Sequence, residues 1–506
     1  MYLKTISITA ILFLLISCSG QHSNQSGNVI KSLEAAENEK DIDQIKSIFH
    51  EDAIFYITDL MPIKGRASIT SLYEFVFSRD DVESVVYTQD SIIKKGNNKW
   101  IYGFSSTIKT GLGKTDLPFM AVLNESGKII EISYGSREDL LITIPEWMKP
   151  TGTYGIGLKN FYYDKDKTET GRLLAYQIWY PTAEVGEKLP FRTTETIEGM
   201  SRFLGFPIFA ISYFSEIESN TILDARPLSD GPFPVLVYNH GYGGFSQVYQ
   251  SVFEELVSHG YIVVSVAHQD ESALFFTDNY DVISNSPENE FYTKRAPELN
   301  GGEIGQWQST ILSSNSLAAN KKAYTEMLKL TPLHNESTRL WEQDTRSVIS
   351  KLKELNASDS EFKGIFDFES LGIFGHSLGG ATAGQMCAGN TMFKAGINLD
   401  GFQFGELHDQ SLSVPFMFVS SNREEDRYLR ALTFMDNAKN DCYQVAIKGF
   451  SHDNFTDLKY VLEGDRKAIE LQRDLIKTFF DKYVKGITAD IKALEKSYEE
   501  LAITSN

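Results

Sequence analysis

The chain has 506 residues, more than one ordinary hydrophobic core fills, so its length implies two or three domains. Its 42% hydrophobic and 12% aromatic content excludes a disordered chain. A net charge of −20, with no basic block to reverse it, argues against nucleic acid as a partner, because an acidic surface repels phosphate.

At the N-terminus, Lys4 precedes an apolar run from Thr5 to Ile16 that is short for a membrane-spanning helix. The run ends in Leu15-Ile16-Ser17-Cys18, which resembles the lipobox of bacterial lipoproteins. That resemblance implies removal of residues 1–17 and diacylglyceryl modification of the Cys18 thiol. It further implies a membrane-anchored, extracytoplasmic protein facing the periplasm or the cell surface. Polar residues 18–27 read as a flexible tether.

Residues 28–139 read as an α+β domain. Val29 to Asn38 and Ile42 to His50 have helical spacing, Ala53 to Ile57 is a strand, and the Gly65 turn leads into a third helix ending near Ser78. Strands are predicted over Val82–Ile93, Lys99–Lys109, Leu117–Leu123 and Ile129–Tyr134, with a hairpin turn at Asn124-Glu125-Ser126-Gly127. Helices followed by antiparallel strands define the class. On Asp41 to Asp52, Ala53-Ile54-Phe55 and the Gly65 turn, the order resembles the SnoaL-like, or nuclear-transport-factor-2-like, cone. The resemblance implies an accessory module that holds a small ligand or forms a homodimer. His50, Asp52 and Asp59 are acid–base candidates by composition only and are expected in solvated loops. Residues 140–153, with Pro145, Pro150 and Gly152, form a linker.

From 154 to 484 strands alternate with helices, the pattern of a mostly parallel sheet flanked by helices. Leu173–Tyr180, Pro234–Tyr238, Tyr261–Val266, Ser370–Phe374, Ala395–Leu399, Pro415–Val419 and Tyr443–Ile447 are strands. Gln247–His259, Leu340–Leu355, Gly379–Ala388 and a last stretch from Asp465 to Tyr483 are helices. Residues 271–339 read as an insertion, a lid or acyl-pocket wall, with Phe275-Phe276 and Trp307 offering apolar contacts. Residues 485–506 are a C-terminal tail. Cys387 reads as a core residue, and Cys387 with Cys442 forms no disulfide framework. No local metal-ligand spacing occurs, and the chemistry read below needs no metal or cofactor.

The strongest motif is Gly375-His376-Ser377-Leu378-Gly379, a G-x-S-x-G between an apolar strand and a small-residue helix. That is a nucleophile elbow, a sharp turn that lifts Ser377 to the sheet edge. Serine needs a general base and a group to orient it, in chain order Ser, Asp or Glu, His. Downstream, His452 follows a strand and suits the base, whereas His408 lies in a polar stretch. Two acid positions compete: Asp400, isolated at a strand end, and the run Glu424-Glu425-Asp426 after the next strand. Asn239-His240-Gly241-Tyr242-Gly243-Gly244 supplies a glycine loop one βα unit ahead. Its Tyr242 N–H, with that of Leu378, suits an oxyanion hole. His240, His268 and His376 are expected to brace loops.

These segments, with Leu256 to Val263, His268-Gln269-Asp270, Asn398-Leu399-Asp400-Gly401 and His452-Asp453-Asn454-Phe455, resemble platelet-activating-factor acetylhydrolases of the plasma, or type II, group. The resemblance covers about 330 residues with a divergent middle. It implies an α/β-hydrolase fold and a triad of Ser377, Asp400 and His452. It also implies Ca²⁺-independent cleavage of short or oxidised acyl esters, hence a small-molecule or lipid ester as substrate and a face that meets lipid. The loop residues Asn239 and Tyr242 depart from the commonest ones there, so acyl preference does not carry over. Rival readings on the same fold are a polyester hydrolase, amidase or peptidase; a non-catalytic binding lipoprotein is the rival from another class.

Overall fold

The structure, a computed structural model, describes residues 28–57, 62–78, 82–109, 113–135, 145–205, 208–286, 288–300, 302–313, 316–389, 391–406, 410–421, 433–435 and 438–506. Cys18, Asp59, His408 and the run Glu424 to Asp426 lie outside the described residues. The chain forms two compact units: Met1–Glu146 with Pro190–Ile217, and Trp147–Leu189 with Glu218–Asn506.

The first unit opens with α1 (Asn28–Glu39) and α2 (Ile42–Ile48), the second capped by Asp41, whose carboxylate accepts from Gln44 N–H. Then come β1 (Phe49–Ile57), β2 (Ile63–Lys64), α3 (Arg66–Ser78), β3 (Val82–Lys95), β4 (Asn98–Lys109), β5 (Gly113–Leu123) and β6 (Ile129–Tyr134). They make one sheet in the order β2-β1-β6-β5-β4-β3. The helices close over one face, burying Ile30, Leu33, Ile45, Ile69 and Leu72 against Phe55, Ile101, Phe119 and Ile132. From the separate segment 190–217 comes α4 (Thr194–Leu204), capped by Thr193 and ended by Gly205 in the left-handed conformation.

Inside this unit sits a polar cluster that apolar periodicity does not announce. The Glu37 carboxyl, 3% exposed, accepts from the Tyr73 hydroxyl at 2.7 Å and from Tyr87 at 3.0 Å, and Tyr87 bonds Tyr134. Burial, the largest cause, lifts the Glu37 carboxyl from its ordinary 4.5 to about 7 against the two phenol hydrogen bonds, and Glu34 adds to the rise. Beside it, Asn38 exchanges hydrogen bonds of 2.6 and 2.7 Å with the backbone of Val85, so α1 covers the free edge of β3. His50 and Asp52 stand on strand β1 and not in a loop as expected, though their side chains are exposed.

A raised folded-state pKa fixes a sign. Below 4.5 both folded and unfolded chains hold the proton; between 4.5 and 7 only the folded one does. Stability of this unit is therefore full only below about 4.5, falls as pH rises from 4.5 to 7, and above 7 is lower by roughly 3 kcal/mol. Denaturant unfolding from pH 4.5 to 8 should show this fall, and Glu37→Gln should flatten it. A wild-type profile already flat would refute the cluster's titration.

The second unit is a ten-stranded sheet. Its strands are β7 (Gly155–Tyr163), β8 (Leu174–Thr182), β9 (Thr221–Leu223), β10 (Phe233–Asn239), β11 (Ile262–His268), β14 (Phe366–His376), β15 (Ala395–Leu399), β16 (Phe416–Ser421), β17 (Cys442–Ile447) and β18 (Leu501–Ser505). Between β11 and β14 a small hairpin, β12 (Leu274–Phe276) and β13 (Val282–Ser284), stands apart. The order is β18-β17-β16-β15-β14-β10-β11-β8-β7-β9, and the six strands from β17 to β11 pair in parallel. Strands β8, β11, β15 and β16 are buried at every residue, because helices cover both faces.

The flanking helices are α5 (Gln250–Ser258), α6 (Glu290–Arg295), α7 (Gly302–Ser313), α8 (Leu317–Lys329), α9 (Pro332–Ser358), α10 (Leu378–Met386), α11 (Asp457–Glu463) and α12 (Arg466–Tyr483). One face packs α8, α9 and α10 through Tyr324, Trp341, Val348 and Ala381; the other packs α5 and α12 through Phe253, Leu256, Leu475 and Phe479. Cys387 and Cys442 are buried thiols, and burial pushes that of Cys442 up to about 12.

Two expectations change. Residues 485–506 are not a mere tail: after a 3₁₀ turn at Ile491–Lys496 they end in β18, which pairs antiparallel with β17 from Tyr443↔Ser505 to Ile447↔Leu501, because alternate apolar residues Leu501 and Ile503 reach the core. Phe275 and Phe276 are not lid contacts. Both are buried in β12, and Phe275 packs on Ala175 of β8 and Ala267 of β11, filling the gap two small side chains leave.

Candidate active site

Parallel pairing brings the C-terminal ends of β10, β14, β15, β16 and β17 to one edge of the sheet, and the sequence-predicted residues follow those ends. Ser377 sits between β14 and α10 at φ 57°, ψ −121°, a backbone state a side chain rarely adopts. Close packing holds it there. A Cβ on Gly379 would collide with the carbonyl of Asn239, and one on Gly401 with that of Ser377 itself. The Ser377 N–H donates to Leu399 O at 2.8 Å, and its carbonyl accepts from Gly380 and Ala381 at 2.9 and 3.1 Å. The elbow is thus tied to β15 on one side and to its own helix on the other.

Asp400 leaves β15 with φ 54° and is 1% exposed. One carboxylate oxygen accepts from Ser421 N–H at 2.6 Å, the other meets His452 Nδ1 at 2.6 Å. A carboxylate there can only accept, so Nδ1 carries the proton and Nε2 presents its lone pair. His452 opens a 3₁₀ turn, His452–Phe455, locked by a capping box between Ser451 and Asn454. Its ring lies 4.4 Å from that of His376, centroid to centroid, beside the elbow, and its side chain is 32% exposed.

The loop after β10 closes on the same point: a Cβ at Gly241 would stand 3.3 Å from Ser377 Cβ. Leu378 begins α10, so its N–H has no partner within the helix. The Tyr242 ring packs on Tyr292 and His334 at 5.3 and 6.1 Å. Behind the loop lies a buried polar layer. His240 donates through Nδ1 to Gly241 O at 2.7 Å and meets the Ser272 hydroxyl through Nε2 at 2.6 Å. Burial, reinforced by His268, lowers its pKa to about 3, so it stays neutral.

His268 stacks on Trp341 at 3.8 Å, faces Asn239 at 3.0 Å and donates to Asp344 at 3.1 Å. Arg172 grips Asp344 with two bonds of 2.7 and 2.9 Å. Burial raises the Asp344 carboxyl, but the bonds from Arg172 and His268 outweigh it and hold it below the ordinary value. His240 and His268 are therefore loop braces, as expected.

The insertion helices reach this edge. Tyr324 of α8 stacks on Phe402 at 5.0 Å, two residues after Asp400, and His334 of α9 stacks on Phe404 at 4.9 Å. Trp307 packs partly buried against the same core. Among the described residues no group of three or more His, Cys, Asp or Glu is placed to hold a metal ion.

The profile of the family described as "Platelet-activating factor acetylhydrolase, isoform II" matches residues 144–465, more than half of the chain. The chain belongs to that family. The acetylhydrolase of Cavia porcellus is 24% identical over 327 residues, covering 63% of this chain and 70% of the relative. That of Bos taurus is 25% identical over 376 residues, covering 67% and 77%. A solved ferulic acid esterase from Streptomyces cinnamoneus superposes with a TM-score of 0.53 at 18% identity, covering 72% of this chain and all of that one, and shares the fold. As a member of the acetylhydrolase family, the chain is a carboxylic ester hydrolase.

Within the family's matched stretch, sequence reasoning missed Arg172, Glu271, Arg295 and Asp344. Arg172, Arg295 and Asp344 stand in segments with no motif, Glu271 lies just past His268-Gln269-Asp270, and only the fold brings the four together. Removing one partner of the buried Arg172–Asp344–His268 group strands the others, so Asp344→Ala should cost about 3–5 kcal/mol. Urea unfolding measures it; an unchanged midpoint would mean the group is solvated and not load-sharing.

Proposed function

We propose that this acetylhydrolase-family member cleaves short or oxidised acyl esters of lipid-type substrates through Ser377, His452 and Asp400. The observation that carries the reading is the 2.6 Å contact between His452 Nδ1 and the buried Asp400, beside a serine in a strained elbow. Ser377 Oγ attacks the ester carbonyl and His452 Nε2 takes its proton. Asp400 holds the ring's orientation and stabilises the imidazolium. The N–H groups of Tyr242 and Leu378 stabilise the oxyanion. The tetrahedral intermediate expels the alcohol, which receives the proton from His452. Water, deprotonated by the same ring, then releases the acid and restores the serine. Anchoring at Cys18 and an extracytoplasmic site belong to the same reading and rest on the sequence alone.

The alternatives share a fold or lack a reaction, so substrate tests separate them. With p-nitrophenyl esters from C2 to C12, beside an acetylated glycerophospholipid, the wild type should favour the shortest chains. Ser377→Ala should lose at least about 10⁴-fold in kcat while unfolding at the same temperature. Retained turnover in that variant would sink the mechanism; cleavage of anilides but not esters would replace the substrate class.

A further inference from the structure

Tyr242 can donate its N–H to an oxyanion only if the loop around it is held still, and the bonds that hold it come from one short segment. Gly243 N–H donates to Glu271 O at 3.0 Å, and Ala273 N–H donates to Gly244 O at 2.7 Å. The Ser272 hydroxyl meets His240 at 2.6 Å. Glu271 is thus the hinge pin of the loop, and its own place is fixed through its side chain, which is wholly buried. Its carboxylate accepts from the Trp341 indole at 2.5 Å, from the Ser337 hydroxyl, and faces Arg295 Nε at 3.1 Å. Arg295, itself buried, also donates to Ser337 at 2.6 Å and to Glu336 at 3.2 Å.

Arg295 ends α6, a helix of the 271–339 insertion. One turn earlier on that helix, Tyr292 sets its ring edge to face against Tyr242 at 5.3 Å. So α6 touches the loop twice, once directly on the residue that bears the donor and once through the carboxylate that clamps its neighbour. A buried Arg–Glu pair is a poor way to gain stability, since desolvation offsets the attraction, but removing one member leaves a charge that must relax or take up a proton. Fixing a geometry is the use such a pair serves best.

We infer that Arg295 and Glu271 are positioning residues for the oxyanion hole, and that helix α6 of the insertion belongs to the active-site machinery rather than to a detachable lid. The inference rests on Ser377 as nucleophile. It predicts that a change at Arg295, which touches no reacting atom, acts on the transition state and leaves ground-state binding nearly untouched.

The test is the steady-state hydrolysis of p-nitrophenyl acetate and of its thiono analogue, whose sulfur is a weak hydrogen-bond acceptor. Wild type, Arg295→Met, Arg295→Lys, Tyr292→Leu and Ser377→Ala are compared, each checked by thermal unfolding. Arg295→Met should lower kcat on the oxo ester about tenfold or more with KM nearly constant. The oxo-to-thiono rate ratio should fall with it, and Arg295→Lys should recover part of both. Tyr292→Leu, which leaves the ion pair intact, should lower the same ratio less. A folded Arg295→Met with unchanged kcat and unchanged ratio overturns the inference while Ser377→Ala stays inactive. Should Arg295→Met not fold, an unchanged ratio in both Arg295→Lys and Tyr292→Leu overturns it. If Ser377→Ala hydrolyses the ester as well as wild type, the nucleophile assignment fails first and the inference falls with it.

Discussion

Six adjacent strands running the same way impose the constraint on which the candidate site depends. In a parallel ladder every strand delivers its C-terminal end to one edge, so β10, β14, β15, β16 and β17 end side by side. The glycine loop, Ser377 and Asp400 follow directly on those ends, the Ser421 donor closes β16, and the His452 turn comes shortly after β17. The Ser421 N–H that holds Asp400 is at hand because β16 pairs with β15 in register, Leu399 against Val419. Crevices at such edges collect ligands, because the loops on either side part there.

What the ladder cannot do is hold the loops beyond it. Strand pairing stops at Asn239 and His268, and the next residues need partners other than backbone. The chain meets that need with a buried layer of His240, His268, Glu271, Asp344, Arg172 and Arg295. Such groups are costly in low dielectric unless each is matched, and here acceptor meets donor along the layer. The result is a stiff backing for a loop that must present an N–H to a developing charge. Stiffness at that point matters more than net stability, since an oxyanion gains only from donors already in place.

The part of this that could be read from the sequence is the part written locally. The G-H-S-L-G elbow encodes its strand, turn and helix within a dozen residues, and the strand-end position of Asp400 is visible from the apolar run before it. His452 could be ranked over His408 by the same local test. The backing layer could not be read, because its contacts join residues 172 apart for Arg172 and Asp344 and 76 apart for His268 and Asp344. Glu37 escaped for a related reason. In α1 it reads as one more polar residue, and its phenol partners stand 36 and 50 residues away. The return of residues 501–505 as a strand was hidden because an edge strand of five residues has too few alternations to stand out. Phe275 misled because an apolar pair in an insertion suggests a lid, whereas the two alanines that receive it lie on other strands.

The two units also use buried charge differently, and that difference bears on what each is built to do. In the first, Glu37 is closed in by three tyrosines, and no cation partner stands beside it among the described hydrogen bonds and ion pairs; its carboxyl answers burial by holding a proton to about neutral pH. In the second, counter-charge faces the buried carboxyls: Arg172 and His268 hold Asp344 below its ordinary value, while at Glu271 burial raises the carboxyl and Arg295 offsets it only in part. A proton can be exchanged as pH changes, whereas a guanidinium cannot be lost, so the grip of Arg172 on Asp344 persists as pH changes. The family profile spans residues 144–465, which hold the counter-charged layer, and begins after the strands that enclose Glu37. The candidate site therefore lies in the stretch backed by counter-charge, and the titrating cluster belongs to the other unit, within a core of its own.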